Sequence, residues 1–147
     1  MKKSLYILLL LLPISILLIS CEVETSGNGK LDGNWQLQSF DTLSTGGICD
    51  MSESTIYWGI ENKILQIRNI KKAEKILFRF EKSGSTLTIT NPHLYDNRKY
   101  ETTPIEDKSV LLPFGIQDIE ETYTIEQLSN SSFVLKNQQL RLHFRKY

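Results

Sequence analysis

From Trp35 to the C-terminus, apolar and polar residues alternate with a period of two. Trp35, Leu37 and Ser39 alternate with Gln36, Gln38 and Phe40; Ile56, Trp58 and Ile60 share one side of the next run, and Leu65 and Ile67 follow. Ile76, Phe78 and Phe80 stand against Arg79 and Glu81, and Leu87 and Ile89 against threonines. Tyr123 and Ile125 alternate with Thr122, Thr124 and Glu126, and Leu140, Leu142 and Phe144 with Arg141, His143 and Arg145. Alternation of this kind places apolar side chains on one face of a sheet and polar ones on the other. The punctuation is hairpin-like: Glu61-Asn62, the charged stretch Asn69 to Glu74, Lys82-Ser83-Gly84-Ser85 and Ser129 to Ser132. Two longer connections are expected, Asp41–Thr55 and Asn91–Lys108, with a turn or single helical turn around Pro113–Ile119. No window has the period of a long amphipathic helix. The pattern predicts an all-β domain of about eight or nine short antiparallel strands, a sandwich or a closed up-and-down barrel. Closure is the simpler end point for a meander of hairpins, because it leaves no exposed edge.

The N-terminus follows another rule. Lys2 and Lys3 precede an apolar run from Leu5 to Ile19, then Ser20 and Cys21. A basic n-region, an apolar h-region and a small residue at the cut are the parts of a secretory signal. The ending resembles the bacterial lipoprotein signal, with aliphatic Leu18 three before Cys21 and small Ser20 directly before it. A membrane-spanning helix needs about 20 consecutive apolar residues; this run is shorter, contains Pro13 and Ser15, and is followed by Glu22 and Glu24. The expected organisation is a signal peptide at 1–20, a lipidated Cys21 opening a flexible linker at 21–30, and a barrel domain at 31–147. Stable anchoring takes two acyl chains, which palmitate-type chains on Cys21 supply. The expected address is the bacterial envelope, at the outer membrane.

Charge narrows the partners. Lys+Arg and Asp+Glu both number 17, and cutting before Cys21 removes Lys2 and Lys3, leaving 15 against 17 and a net charge of −2. Such a balance lacks the footprint of a nucleic-acid binder, and it predicts no attraction of the domain itself to an anionic membrane. With Cys21 committed to lipid, Cys49 has no partner in the chain and is expected to be a small packing residue. A monomer without disulfide follows.

Candidate chemistry is sparse. The chain has no Gly-x-Ser-x-Gly elbow, His-Glu-x-x-His or Cys-x-x-Cys, and only His93 and His143 as histidines. No catalytic residue, metal site or cofactor is therefore expected. His143 is expected on the exposed strand face with Arg141 and Arg145, and His93 in a loop beside Pro92. The adjacent pairs Glu106-Asp107 and Glu120-Glu121 would point to opposite faces of a strand. Lys71-Lys72-Ala73-Glu74-Lys75 is expected to be a solubilising hairpin tip, and Tyr57, Tyr95 and Tyr100 lie near loops where they could rim a mouth.

The first strand begins Gly33-Asn34-Trp35, followed by Leu37; later come Tyr123-x-Ile125-x-x-Leu128, Val134-Leu135 and the closing run Leu140–Tyr147. In these features the chain resembles the lipocalins, and among them the small lipocalin-like lipoproteins of Gram-negative envelopes. It is shorter than a typical lipocalin and has no long C-terminal helix pattern. The resemblance implies a single barrel of about eight strands, closed at one end by Trp35 with an arginine from the last strand, Arg141 or Arg145, packed across it. The inward face, and with it the candidate lining of a ligand cavity, would then consist of Trp35, Leu37, Trp58, Phe78, Phe80, Leu142 and Phe144. An eight-stranded barrel is just wide enough to be filled by side chains or to hold one small ligand. The expected function is a tethered module that binds a small apolar or amphipathic molecule. The alternative is a filled barrel that engages another envelope protein through the two long connections.

Overall fold

In the structure, a computed structural model that describes residues 27–147, every alternating run forms a strand. The signal segment, Cys21 and the linker up to Ser26 lie outside the described residues. The strands are β1 (Gly33–Thr42), β2 (Gly47–Asp50), β3 (Ile56–Glu61), β4 (Ile64–Asn69), β5 (Glu74–Ser83), β6 (Thr86–Asp96), β7 (Glu101–Pro104), β8 (Glu121–Leu128), β9 (Ser132–Lys136) and β10 (Leu140–Lys146). All pairings are antiparallel. Eight strands close in the order β1-β3-β4-β5-β6-β8-β9-β10 and back to β1, while β2 adds to β1 and β7 to β6. The fold is thus an all-β, closed antiparallel eight-stranded barrel. A 3-10 turn, Gly29–Leu31, precedes β1 and includes the last two residues of the expected linker.

Each of the two expected long connections contains a strand hairpin. Residues 41–55 continue β1 to Thr42, turn, and return as β2; residues 91–108 continue β6 to Asp96 and return as β7. Two devices hid this in the sequence. In β1 the register against β10 shifts between Leu37 and Ser39, so the inward phase passes from Trp35 and Leu37 to Phe40. Phe40 therefore packs against the core, on the side opposite to that expected. In β6, Asn91 adopts φ +57° and the register against β5 shifts around Phe78. This is a β-bulge, one of the few places inside a sheet where a proline such as Pro92 is tolerated.

The bottom of the barrel lies where β1, β6 and β9 begin and β10 ends. The opposite end, the mouth, carries the β1–β2, β4–β5, β6–β7 and β9–β10 turns. Between β7 and β8 the chain makes two more 3-10 turns, Lys108–Val110 and Leu112–Phe114, and crosses the mouth. Its Leu111, Phe114 and Ile116 are buried together with the barrel residues in one core.

Candidate functional site

All seven residues expected to face inward do so: Trp35, Leu37, Trp58, Phe78, Phe80, Leu142 and Phe144 are buried. The barrel places five aromatic rings in series. Trp35 lies 5.2 Å from Phe133, Phe133 5.5 Å from Phe144, Phe144 4.9 Å from Trp58, and Trp58 6.2 Å from Tyr123, ring centre to ring centre. Separations and tilts of this kind suit aromatic packing and add about 0.5–1.5 kcal/mol per pair beyond burial. Phe133 and Tyr123 complete the series; their inward phase was readable from Val134-Leu135 and from Tyr123-x-Ile125, but neither was among the expected lining residues. Trp58 is fully buried, and its Nε1–H has no hydrogen-bond partner among the described residues.

At the bottom, Trp35 Nε1 donates to the Leu31 carbonyl at 2.9 Å, tying the entering 3-10 turn to the first strand. The cation across Trp35 is Lys146, whose Nζ lies 4.3 Å from the ring centre and donates to the Asp32 carbonyl. This corrects the expected roles of Arg141 and Arg145. Both have the outward parity of β10, whereas Lys146 shares the parity of Leu142 and Phe144. Arg141 instead makes two bonds to the Glu126 carboxylate, at 2.6 and 3.1 Å, and Arg145 donates to Gln36 Oε1 at 3.1 Å. Counting parity to the end of the last strand would have found Lys146.

At the mouth, the buried Leu111, Phe114 and Ile116 form a plug. Gly115 turns the chain there with φ +79°, and a Cβ at this position would stand 2.7 Å from Leu142 Cδ2. Tyr123 Oη donates to the Gly115 carbonyl at 3.4 Å, so the aromatic series ends on the plug backbone. Burial, and secondarily the Glu121 charge, push the Tyr123 phenol well above its ordinary pKa, so it keeps its proton. The Glu121 carboxylate accepts from the Gln117 and Asp118 amides at 2.7 and 3.0 Å and from Asn137 Nδ2 at 2.9 Å, clamping the segment to the β9–β10 turn. The Lys108–Asp118 pair, 3.1 Å apart with both side chains more than half exposed, adds little.

A lipocalin-like domain model matches residues 16–147. The chain belongs to the lipocalin-like domain family. Two solved structures share its fold. A lipocalin-like protein from Bacteroides uniformis is 20% identical with a TM-score of 0.62, the alignment covering 81% of this chain and 100% of that one. An uncharacterized protein from Bacteroides eggerthii is 18% identical with a TM-score of 0.57, covering 79% of this chain and 98% of that one. No curated protein matches the chain significantly.

On the outside of this lipocalin-like barrel, an open cleft of about 1090 Å³ lies near the bottom, lined by Gly27, Asp32, Asn34, Gly59, Gln66 and Arg68 among others. A smaller one of about 260 Å³ lies at the β6 bulge, bordered by Phe78, Asn91 and His93. Of the seven inward residues only Phe78 borders either. His93 lies in β6 rather than in a loop. His143 Nε2 meets Asp41 Oδ2 at 2.9 Å. Cys49, expected to pack, is exposed, because every residue of the short β2 flap faces solvent. Tyr57 lies on the outer wall, opposite in parity to buried Ile56 and Trp58, where its ring meets Tyr147 at 5.0 Å, so of the three tyrosines expected at a rim Tyr95 and Tyr100 remain.

Proposed function

We propose that this lipocalin-like domain is an envelope lipoprotein, held at the bacterial outer membrane by acyl chains on Cys21. In this reading the barrel is filled, and the protein acts through its outer surface on another envelope component. The observation that carries the reading is the aromatic series from Trp35 to Tyr123, capped by the plug. Burying a large apolar side chain is worth about 1.5–3 kcal/mol. Displacing Leu111, Phe114 and Ile116 would thus cost roughly 5–9 kcal/mol, and micromolar binding yields about 8 kcal/mol in all. A ligand that had first to empty the mouth would retain little affinity.

The second reading is uptake of one small apolar or amphipathic molecule, and the unpartnered Trp58 Nε1–H favours it. A molecule carrying a hydrogen-bond acceptor would satisfy that group if the plug opened. Native mass spectrometry of the chain purified from bacteria separates the two. The filled reading expects the bare protein mass and tryptophan emission unchanged by added long-chain fatty acid. A retained small molecule or a saturable emission change puts the second reading in its place. The tether has its own test: labelled palmitate should enter the wild-type chain and not Cys21→Ser, and failure to label removes the tether from the proposal.

A further inference from the structure

The near-neutral charge of the chain conceals a local excess at the mouth. The β4–β5 turn carries Ile70, Lys71 and Lys72, and the β6–β7 turn carries Arg98, Lys99 and Tyr100, all exposed. Each tip therefore presents one large apolar side chain beside two cations, Ile70 being 55% and Tyr100 80% exposed. Strands β4, β5, β6 and β7 are consecutive neighbours in the sheet, so the two tips stand two strand spacings apart, about 10 Å. Lys75, its Nζ 4.3 Å over the Tyr95 ring, fills the space between them.

The acids in this region are Glu74, Asp96, Glu101 and, on the segment whose Thr55 bonds the Ile70 and Lys71 amides, Glu53; they stand against five cations, Lys71, Lys72, Lys75, Arg98 and Lys99. Asp96 is engaged by its own turn, Oδ1 accepting from the Arg98 and Lys99 amides at 2.8 and 3.3 Å. Among the described residues, none of Lys71, Lys72, Lys75, Arg98 and Lys99 is in an ion pair. Tyr100 holds φ +57°, a conformation a bulky side chain rarely takes, and its ring stands in solvent rather than in the core.

We propose that these two tips form a docking surface for a membrane rich in anionic phospholipid. Unpaired lysine and arginine are drawn to a negative lipid surface, each worth about fivefold in affinity. Tyrosine and isoleucine beside them enter the headgroup boundary, where an amphipathic ring is at home. A nucleic acid or an acidic protein would use the cations and leave Ile70 in water; a lipid surface uses both. The chain enters the barrel from the bottom, so a tether on Cys21 and these tips address opposite ends of the domain.

The test needs neither lipidation nor a barrel ligand, so it stands apart from the proposal above. Residues 22–147 retain all ten strands and both barrel ends, and their thermal unfolding verifies the fold of each variant. The chain is sedimented with vesicles of equal parts phosphatidylglycerol and phosphatidylcholine, or of phosphatidylcholine alone. Binding is expected to the anionic vesicles only, and to disappear near 0.5 M salt, where screening shortens to roughly 4 Å. Lys71→Glu, Lys72→Glu, Arg98→Glu and Lys99→Glu together should weaken it by more than about tenfold. Lys63→Glu with Lys82→Glu, toward the bottom, should change it less than about twofold per charge. In a Tyr100→Trp chain the added emission should shift to the blue on binding. Absence of binding, equal binding to both vesicles, survival of binding in the fourfold tip variant, or equal loss per charge from the bottom variant overturns the proposal.

Discussion

The two ends of this barrel are closed by different means. The bottom is closed by residues adjoining the barrel strands in sequence. Leu31 lies two residues before the start of β1, Trp35 lies within it, and Lys146 ends the strand paired beside it. The mouth is closed by a separate segment between β7 and β8, held by three apolar side chains, one long hydrogen bond from Tyr123 and the Glu121 clamp. Breaking the bottom breaks the closure of the sheet, because Trp35 pairs directly with Trp58 across β1 and β3 and packs on Phe133 from β9. Breaking the mouth leaves all eight barrel strands paired. A closure woven into the sheet shares its cooperativity, whereas a segment laid over it can open locally.

The largest effect should come from Trp35→Ala, about 3–5 kcal/mol of lost stability for removal of a fully buried ring. Urea unfolding measures it, and a loss below about 2 kcal/mol would mean the bottom is not the anchor described here. Phe114→Ala at the mouth should cost less than the tryptophan change, near the lower end of about 3 kcal/mol, because the plug frays while the barrel stays closed. Its distinctive sign is acrylamide quenching of Trp58 emission, raised in this variant at temperatures where circular dichroism is unchanged. Equal cost at both ends with no added quenching would erase the contrast.

Gly115→Ala sharpens the same contrast from the backbone side. The left-handed conformation costs about 1–2 kcal/mol for an alanine, and Leu142 must also yield to a Cβ placed 2.7 Å from it. Thermal unfolding should register the loss together with the same rise in quenching. Lys146→Met tests the bottom more gently: losing the cation over Trp35 should cost about 1 kcal/mol, seen by urea unfolding, without any rise in quenching.

The smallest effect belongs to the wall between the ends. Glu126 is held below the ordinary glutamate range, first by the hydrogen bond from Arg141 and then by the charges of Arg141 and Lys136. A depressed carboxyl pKa means the unfolded chain binds more protons, so this contribution is full above the ordinary glutamate range and is lost as pH falls through it toward the folded value. Because the pair stands at the solvent-exposed surface, water screens it and the contribution is small. Glu126→Gln should flatten that part of the stability–pH curve and leave both ends untouched; an unchanged slope would dissociate the pair from stability.

Much of the barrel was legible because its signal is local. Ile56, Trp58 and Ile60 reveal their buried face by spacing alone, and all seven inward residues were readable this way. The errors have physical causes. The bulges at Gln38 and at Asn91-Pro92 shift phase by one residue, and an extended hairpin then reads as a loop. Arg141 and Arg145 were the expected covers for Trp35 by residue type, but parity sends both outward, to Glu126 and Gln36. The plug residues Leu111, Phe114 and Ile116 follow no period, so nothing local marked them as core.

By itself, then, the order of residues determined the all-β class, the sidedness of the strands that alternate without a bulge and the tryptophan that closes the bottom, and it marked Cys21 as the candidate lipidation site. These depend on alternation and short motifs, which act over a few neighbouring residues. Only the tertiary structure decided that the interior is an aromatic series, that Lys146 covers Trp35, that the mouth is plugged, and that two basic tips stand side by side. Each of these joins residues far apart in the chain, and only closure of the sheet brings them within reach of one another.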